Sequence, residues 1–134
     1  MNELLIIINA DDLGYSTTVN DAIFNLAKKN LITSASLMAN GTDFDGAKQL
    51  IEHFPNLSIG VHLNLTEFIS LSRSEMFNRE GLMNKDFMFT GAIKYRPGIK
   101  IDFNSDLLES IYIEWKLQIE QESQILKFLA VFLG

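Results

Sequence analysis

The sequence predicts an α/β fold of parallel strands joined by crossover helices. Three features carry that expectation: short apolar β-rich runs, amphipathic helical stretches alternating with them, and short connections from one to the next. Leu4 to Ile8 is continuously apolar, the pattern of a strand buried on both faces. It breaks at Asn9-Ala10-Asp11-Asp12-Leu13-Gly14. A helix is expected next, capped by Ser16, Thr17 or Thr18, because Val19, Ile23, Leu26 and Ala27 recur at helical spacing. Asn30 is its expected stop.

Ile32 to Met38 reads as a second strand, ending in the turn Asn40-Gly41. Asp43 can cap a second helix carrying Phe44, Ala47, Leu50 and Ile51, which ends before Pro55. The third strand, Leu57 to Leu65, alternates. Ile59, Val61, Leu63 and Leu65 face one way, and Ser58, Gly60, His62 and Asn64 the other. One polar side on an otherwise buried strand suits the interior mouth of a barrel. From Thr66 to Asn104 the pattern is irregular, with Gly81, Gly91 and Pro97-Gly98 as breakers. A long helix is expected from about Ser105, with Leu108, Ile111, Trp115 and Ile119 on one face, continuing through Ile125, Leu126, Leu129 and Phe132. On this reading there are three strands and none after the last helix. The sheet is open-edged and the architecture incomplete.

Composition narrows the function. At 134 residues, 47% hydrophobic and 21% charged, the chain has the make-up of one globular domain. A net charge of -6 argues against nucleic acid as a partner, since nothing offsets phosphate repulsion. The absence of cysteine removes disulfides, thiolate metal sites and cysteine nucleophiles together. The short apolar run near the N-terminus lacks a basic leader, and no run approaches the ~18 residues of a membrane span. The expectation is a cytoplasmic protein with no membrane association.

Candidate chemistry gathers at strand ends. Asp11 and Asp12 lie at the carboxyl end of the first strand, where parallel α/β folds place their sites. Adjacent side chains there diverge, so two carboxylates can take different tasks, one on a metal and one on a water. The alternative is that one caps a turn and the other is solvated. His62 sits near the end of the third strand on its polar face, either as a ligand or as a hydrogen-bonded core residue. Asn64, Thr66 and Glu67 follow it toward the same rim. His53, the other histidine, falls at a helix end before Phe54-Pro55 and reads as a surface residue.

Ile8-Asn9-Ala10-Asp11-Asp12-Leu13-Gly14 resembles the opening Asn-Ala-Asp-Asp-Phe-Gly signature of the YdjC-like carbohydrate deacetylase family, the chitooligosaccharide deacetylase group. Leu31 to Gly41 (Leu-Ile-Thr-Ser-Ala-Ser-Leu-Met-Ala-Asn-Gly) is similar to the second block of that family, and Ile59-Gly60-Val61-His62-Leu63-Asn64-Leu65-Thr66 to its third. The helix around Trp115 to Phe128, including Gln118, matches more loosely. Leu13 replaces the usual aromatic.

The resemblance implies a distorted β/α barrel of the NodB-like deacetylase type, of which residues 1–134 are the N-terminal part of a single domain. It implies an Asp-His-His metal site, with Asp12 and His62 as metal ligands and Asp11 as the catalytic general base. The ion implied is a divalent metal, Mg²⁺ by resemblance, with Zn²⁺ the chemical alternative. The implied reaction is hydrolysis of N-acetyl groups on an acetylated sugar or oligosaccharide substrate. The third ligand belongs to an Asp-Ser-His stretch expected after the last helix, roughly where this sequence reaches Gly134. The chain is therefore expected to carry two of three ligands, and an inactive fragment or sugar-binding remnant is the alternative to an enzyme. The segment Phe68 to Lys100, with Phe77, Phe87, Phe89 and Tyr95, is either an overhang offering aromatic faces to sugar rings or a packed excursion.

Overall fold

A computed structural model describes residues 4–91, 101–125 and 130–133. Among these described residues eight elements follow in order: β1 (Asn9–Leu13), α1 (Thr17–Lys28), β2 (Ser34–Leu37), α2 (Phe44–Ile51), β3 (Ser58–Leu63), α3 (Glu75–Arg79), α4 (Ser105–Ser123) and β4 (Ala130–Leu133). The strands form one four-stranded sheet in the order β1-β2-β3-β4. Every neighbouring pair is parallel. The α/β class with parallel strands thus agrees with the expectation.

Two parts of that expectation are corrected. The last helix ends at Ser123, and the chain then forms β4, which pairs with β3 from Gly60↔Ala130 to Leu63↔Leu133. Phe132 is therefore a strand residue; Leu126 and Leu129 lie outside the described residues. Apolar residues in series fit a helix stripe or a buried strand equally well, and sheet pairing decides between them. The second correction concerns Leu4 to Ile8. These side chains are exposed, from 49% at Ile8 to 87% at Leu5, and the strand begins only at Asn9. The partner strand begins at Ser34, opposite Asn9, so among the described residues those before Ile8 have no strand neighbour.

Local chemistry explains the element boundaries. Ser16 has extended backbone and its side chain accepts a bond from Val19 N–H, satisfying a free donor at the start of α1. Asn30 ends that turn in the left-handed conformation. Asp43 starts α2 without a side-chain cap bond. Its carboxylate instead accepts from Asn20 Nδ2 at 2.9 Å. Asn20 is fully buried and also accepts from Gly14 N–H at 2.7 Å, tying the turn after β1 to the start of α2. Gly14 has φ 92°, and a Cβ there would meet the Met38 carbonyl at 3.1 Å, so the turn requires glycine.

The core has two parts. Leu13, Ile23, Phe24, Ala35, Leu37, Ala47 and Ile59 fill the space between one sheet face and the helices. Phe77, Leu82, Met83, Phe89, Leu107 and Ile111 form a second cluster joining the excursion after β3 to α4. Burying a side chain such as Phe77 stabilises the fold by about 2–3 kcal/mol. Phe77 and Phe89 are thus core residues, with ring centroids 5.5 Å apart, and do not offer faces to a ligand. Phe87 is 37% exposed and lies under the Arg73 guanidinium. Tyr95 lies outside the described residues.

Helix α4 departs from its expected face. Its buried residues are Leu107, Ile111, Glu114, Gln118 and Glu122, while Leu108 is exposed. The buried stripe keeps helical spacing but turns polar along its length. Among the described residues, no helix is long and apolar enough to cross a membrane.

Candidate metal and base site

The site is built where β1 departs from regular pairing. Asn9 pairs with Ser34 and Ala10 with Ala35, but the next matched pair is Leu13 with Leu37. Three steps along β1 therefore match two along β2, which is a β-bulge. Within it Asp12 takes φ 67°, the left-handed region that Asp enters more readily than most residues. The extra residue changes which way the side chains point. Without a bulge, Asp11 and Asp12 would fall on opposite faces.

Both carboxylates instead reach one face. Ser36 of β2 pairs with Gly60 of β3, and His62 lies two residues further along the same side. Asp11 Oδ1 accepts from Ser36 Oγ at 2.6 Å and from Asn9 Nδ2 at 2.8 Å. Asp12 Oδ1 stands 3.5 Å from His62 Nδ1. Leu13, next in sequence, turns into the core on the opposite face and is fully buried. The expected divergence of neighbouring carboxylates does not occur.

His62 is half-buried and Asp12 exposed, with side-chain exposures of 14% and 52%. The Asp12 backbone N–H donates to His62 Nδ1 at 3.3 Å, a long bond that gives this nitrogen the role of acceptor. Its single lone pair is therefore taken up by that N–H, with the Asp12 carboxylate beside it. Two donors bonded to one ion at ~2.0–2.2 Å stand roughly 2.8–3.6 Å apart, the longer separations belonging to tetrahedral geometry. The observed 3.5 Å fits two neighbouring ligands of a divalent ion. Coordination would replace the long bond from Asp12 N–H, because Nδ1 has one lone pair. Among the described residues no group of three or more His, Asp or Glu side chains gathers around a common point.

The neighbouring residues hold the strand ends. Asn64 is buried, and its Oδ1 accepts from Thr66 N–H at 2.9 Å and Glu67 N–H at 3.1 Å. Its Nδ2 donates to Asn40 Oδ1 at 3.0 Å. Gln118 of α4 grips the Asn64 backbone on both sides: its Oε1 accepts from Asn64 N–H at 2.9 Å, and its Nε2 donates to Asn64 C=O at 2.8 Å. Glu114 accepts from Ser70 Oγ, Leu71 N–H, Ser72 N–H and Gln118 Nε2 at 2.7–3.0 Å. These groups fix the chain leaving His62. Asn64 is thus a structural residue, and His53 is exposed as expected.

Glu122 is different. It is fully buried, and neither carboxyl oxygen has a hydrogen-bond partner among the described residues. Burial pushes its pKa from 4.5 up to about 9; the Ala39 backbone opposes this only in part. A cavity of about 470 Å³ lies nearby, lined by Asn40, Thr42, Asp43, Leu71 and Gln121, and it contains neither Asp12 nor His62.

Ser36, Asn20, Glu114 and Glu122 were not singled out by sequence. The available signals were the Ser34/Ser36 alternation in β2 and the polar residues at core spacing in α4. Both read as ordinary polarity until their partners are placed.

The fold and site define an α/β protein with carboxylates and an imidazole collected at the carboxyl ends of parallel strands. Residues 5–130 match the family described as YdjC-like protein, and the chain belongs to that family. Chitooligosaccharide deacetylase from Citrobacter koseri is 37% identical over 83 residues, covering 62% of this chain and 33% of that protein. The Escherichia fergusonii protein of the same name is 36% identical over the same shares. A crystal structure from Enterococcus faecalis V583, provisionally described as a cellobiose-phosphate cleavage protein, superposes with TM-score 0.72 at 25% identity. That match covers 94% of this chain and 47% of the neighbour. The alignments thus span about a third of the curated relatives and just under half of the solved structure.

Proposed function

We propose that this chain carries the catalytic base and two metal ligands of a hydrolase that removes N-acetyl groups from acetylated sugars or oligosaccharides. The observation that supports this best is the approach of Asp12 to His62 at 3.5 Å beside a separately held Asp11. The names of the relatives supply the substrate class. In this reading the four-stranded sheet is one side of a distorted β/α barrel, and the polar face bearing Asp11 and His62 is its interior.

Asp12 and His62 would hold a divalent cation, Mg²⁺ or Zn²⁺, through one carboxylate oxygen and one imidazole nitrogen. Such an ion supplies Lewis-acid polarisation of an acyl oxygen and of water. Asp11, with Oδ1 occupied by Ser36 and Asn9, presents Oδ2 as the base that takes a proton from the attacking water. The exposed setting of both carboxylates leaves room for a sugar.

A second reading is a sugar-binding remnant without turnover. The donor set favours it, because the described residues gather two ligands where catalytic sites commonly use three. Acetate release from N-acetylated chitooligosaccharides, measured with and without added divalent metal, separates the two. Turnover that depends on metal and is lost in Asp11→Asn supports the hydrolase. Binding of the sugar with no acetate released supports the remnant.

A further inference from the structure

The β1 bulge creates a problem that the structure also answers. Two consecutive carboxylates reach the face that bears His62, and either could in principle bind a cation there. The clamp on Asp11 distinguishes them. Its Oδ1 accepts from Ser36 Oγ at 2.6 Å and from Asn9 Nδ2 at 2.8 Å, whereas among the described residues the Asp12 side chain has no such donors and lies against His62. Ser36 is fully buried, which makes its hydroxyl a fixed donor that bulk water does not replace. Asn9 Nδ2 also lies 3.5 Å from Ser36 Oγ, so the three groups form one small network.

We propose that Ser36 and Asn9 are positioning residues that hold Asp11 away from the cation site, reserving it as a base and leaving the metal to Asp12 and His62. This inference rests on the metal reading above. A carboxylate oxygen that accepts two short hydrogen bonds would have to give them up to coordinate an ion. Removing a donor lowers that cost, and Asp11 then competes for the cation as an added negative ligand. The clamp therefore trades metal affinity for a free base.

The test is Mn²⁺ binding to the chain, followed by water-proton relaxation, in Asp11→Asn, Asp12→Asn, His62→Ala, Ser36→Ala, Asn9→Ala and the double variant S36A/D11N. Wild-type binding should fall at least about tenfold in Asp12→Asn and His62→Ala. It should stay within about twofold in Asp11→Asn. Ser36→Ala and Asn9→Ala should each tighten binding roughly three- to tenfold, and the gain should vanish in S36A/D11N. Asn9 is only partly buried, so Asn9→Ala decides the matter if Ser36→Ala does not fold. Wild-type-like or weaker affinity in the folded clamp variants overturns the clamp while leaving the metal site standing. Weakened binding in Asp11→Asn also overturns it, because Asp11 would already be a ligand. Absence of Mn²⁺ binding in the wild type, or indifference to Asp12→Asn and His62→Ala, overturns the metal reading and this inference with it.

Discussion

Asp12 and His62 are separated by 50 positions in sequence, yet the Asp12 carboxylate lies 3.5 Å from the His62 imidazole. The contact crosses from β1 to β3 over the intervening β2, and depends on the bulge that turns Asp12 onto this face. Both side chains project from the strand ends onto the same face of the sheet.

The clearest consequence for activity concerns Asp11. In a protein that releases acetate, Asp11→Asn should lower kcat by about 10²-fold or more. Divalent metal affinity should remain near wild type, since the amide keeps the Ser36 contact and Asp11 is not a ligand. Paired turnover and metal titrations check this. A parallel loss of both would assign Asp11 to the metal.

Asp12 exchanges stability for placement. Its φ of 67° suits glycine better than an L residue. Asp12→Gly should raise stability by roughly 1 kcal/mol while removing a metal ligand. Urea unfolding together with metal titration would show opposite effects on the two quantities. A destabilised Asp12→Gly would mean that the carboxylate contributes more to the fold than its strained backbone costs.

Gln118 should matter far more than a helix-surface glutamine. Replacing it with Leu preserves volume but leaves Asn64 N–H and C=O without their partners and takes one donor from Glu114. A loss of roughly 2–4 kcal/mol in unfolding free energy is expected. Denaturant titration measures it, and Lys116→Leu gives the surface-level comparison.

Glu122 makes stability fall with rising pH. Its carboxyl is raised from 4.5 to about 9 by burial, so the folded state holds a proton that the unfolded state releases above 4.5. The contribution is complete below pH 4.5 and is lost progressively as the pH rises through about 9. Glu122→Gln has no proton to lose. It should flatten this decline and exceed wild type by a few kcal/mol on the alkaline side. Unfolding measured across that range checks the slope, and parallel curves for the two proteins would show that Glu122 is not buried in solution.

By itself the sequence determined the order of the first five elements, the alternation of β3 and the candidates Asp11, Asp12 and His62. It could do so because apolar periodicity and turn chemistry are local. Ser16 caps α1 within three residues, and Ile59, Val61 and Leu63 reveal their face by spacing alone. Tertiary structure decided the rest. Whether the residues from Ala130 onward continued a helix or joined a sheet depended on the free edge of β3, which periodicity does not show. Leu4 to Ile8 carried the pattern of a buried strand, but no strand lies beside it among the described residues. The polar stripe Glu114, Gln118 and Glu122 became core because Asn64, the Ser70 hydroxyl and the backbone N–H groups of Leu71 and Ser72 supply partners for its first two members. Above all, the bulge that brings two consecutive carboxylates to one face arises from the register of β1 against β2. Register is a relation between strands, and neither strand contains it alone.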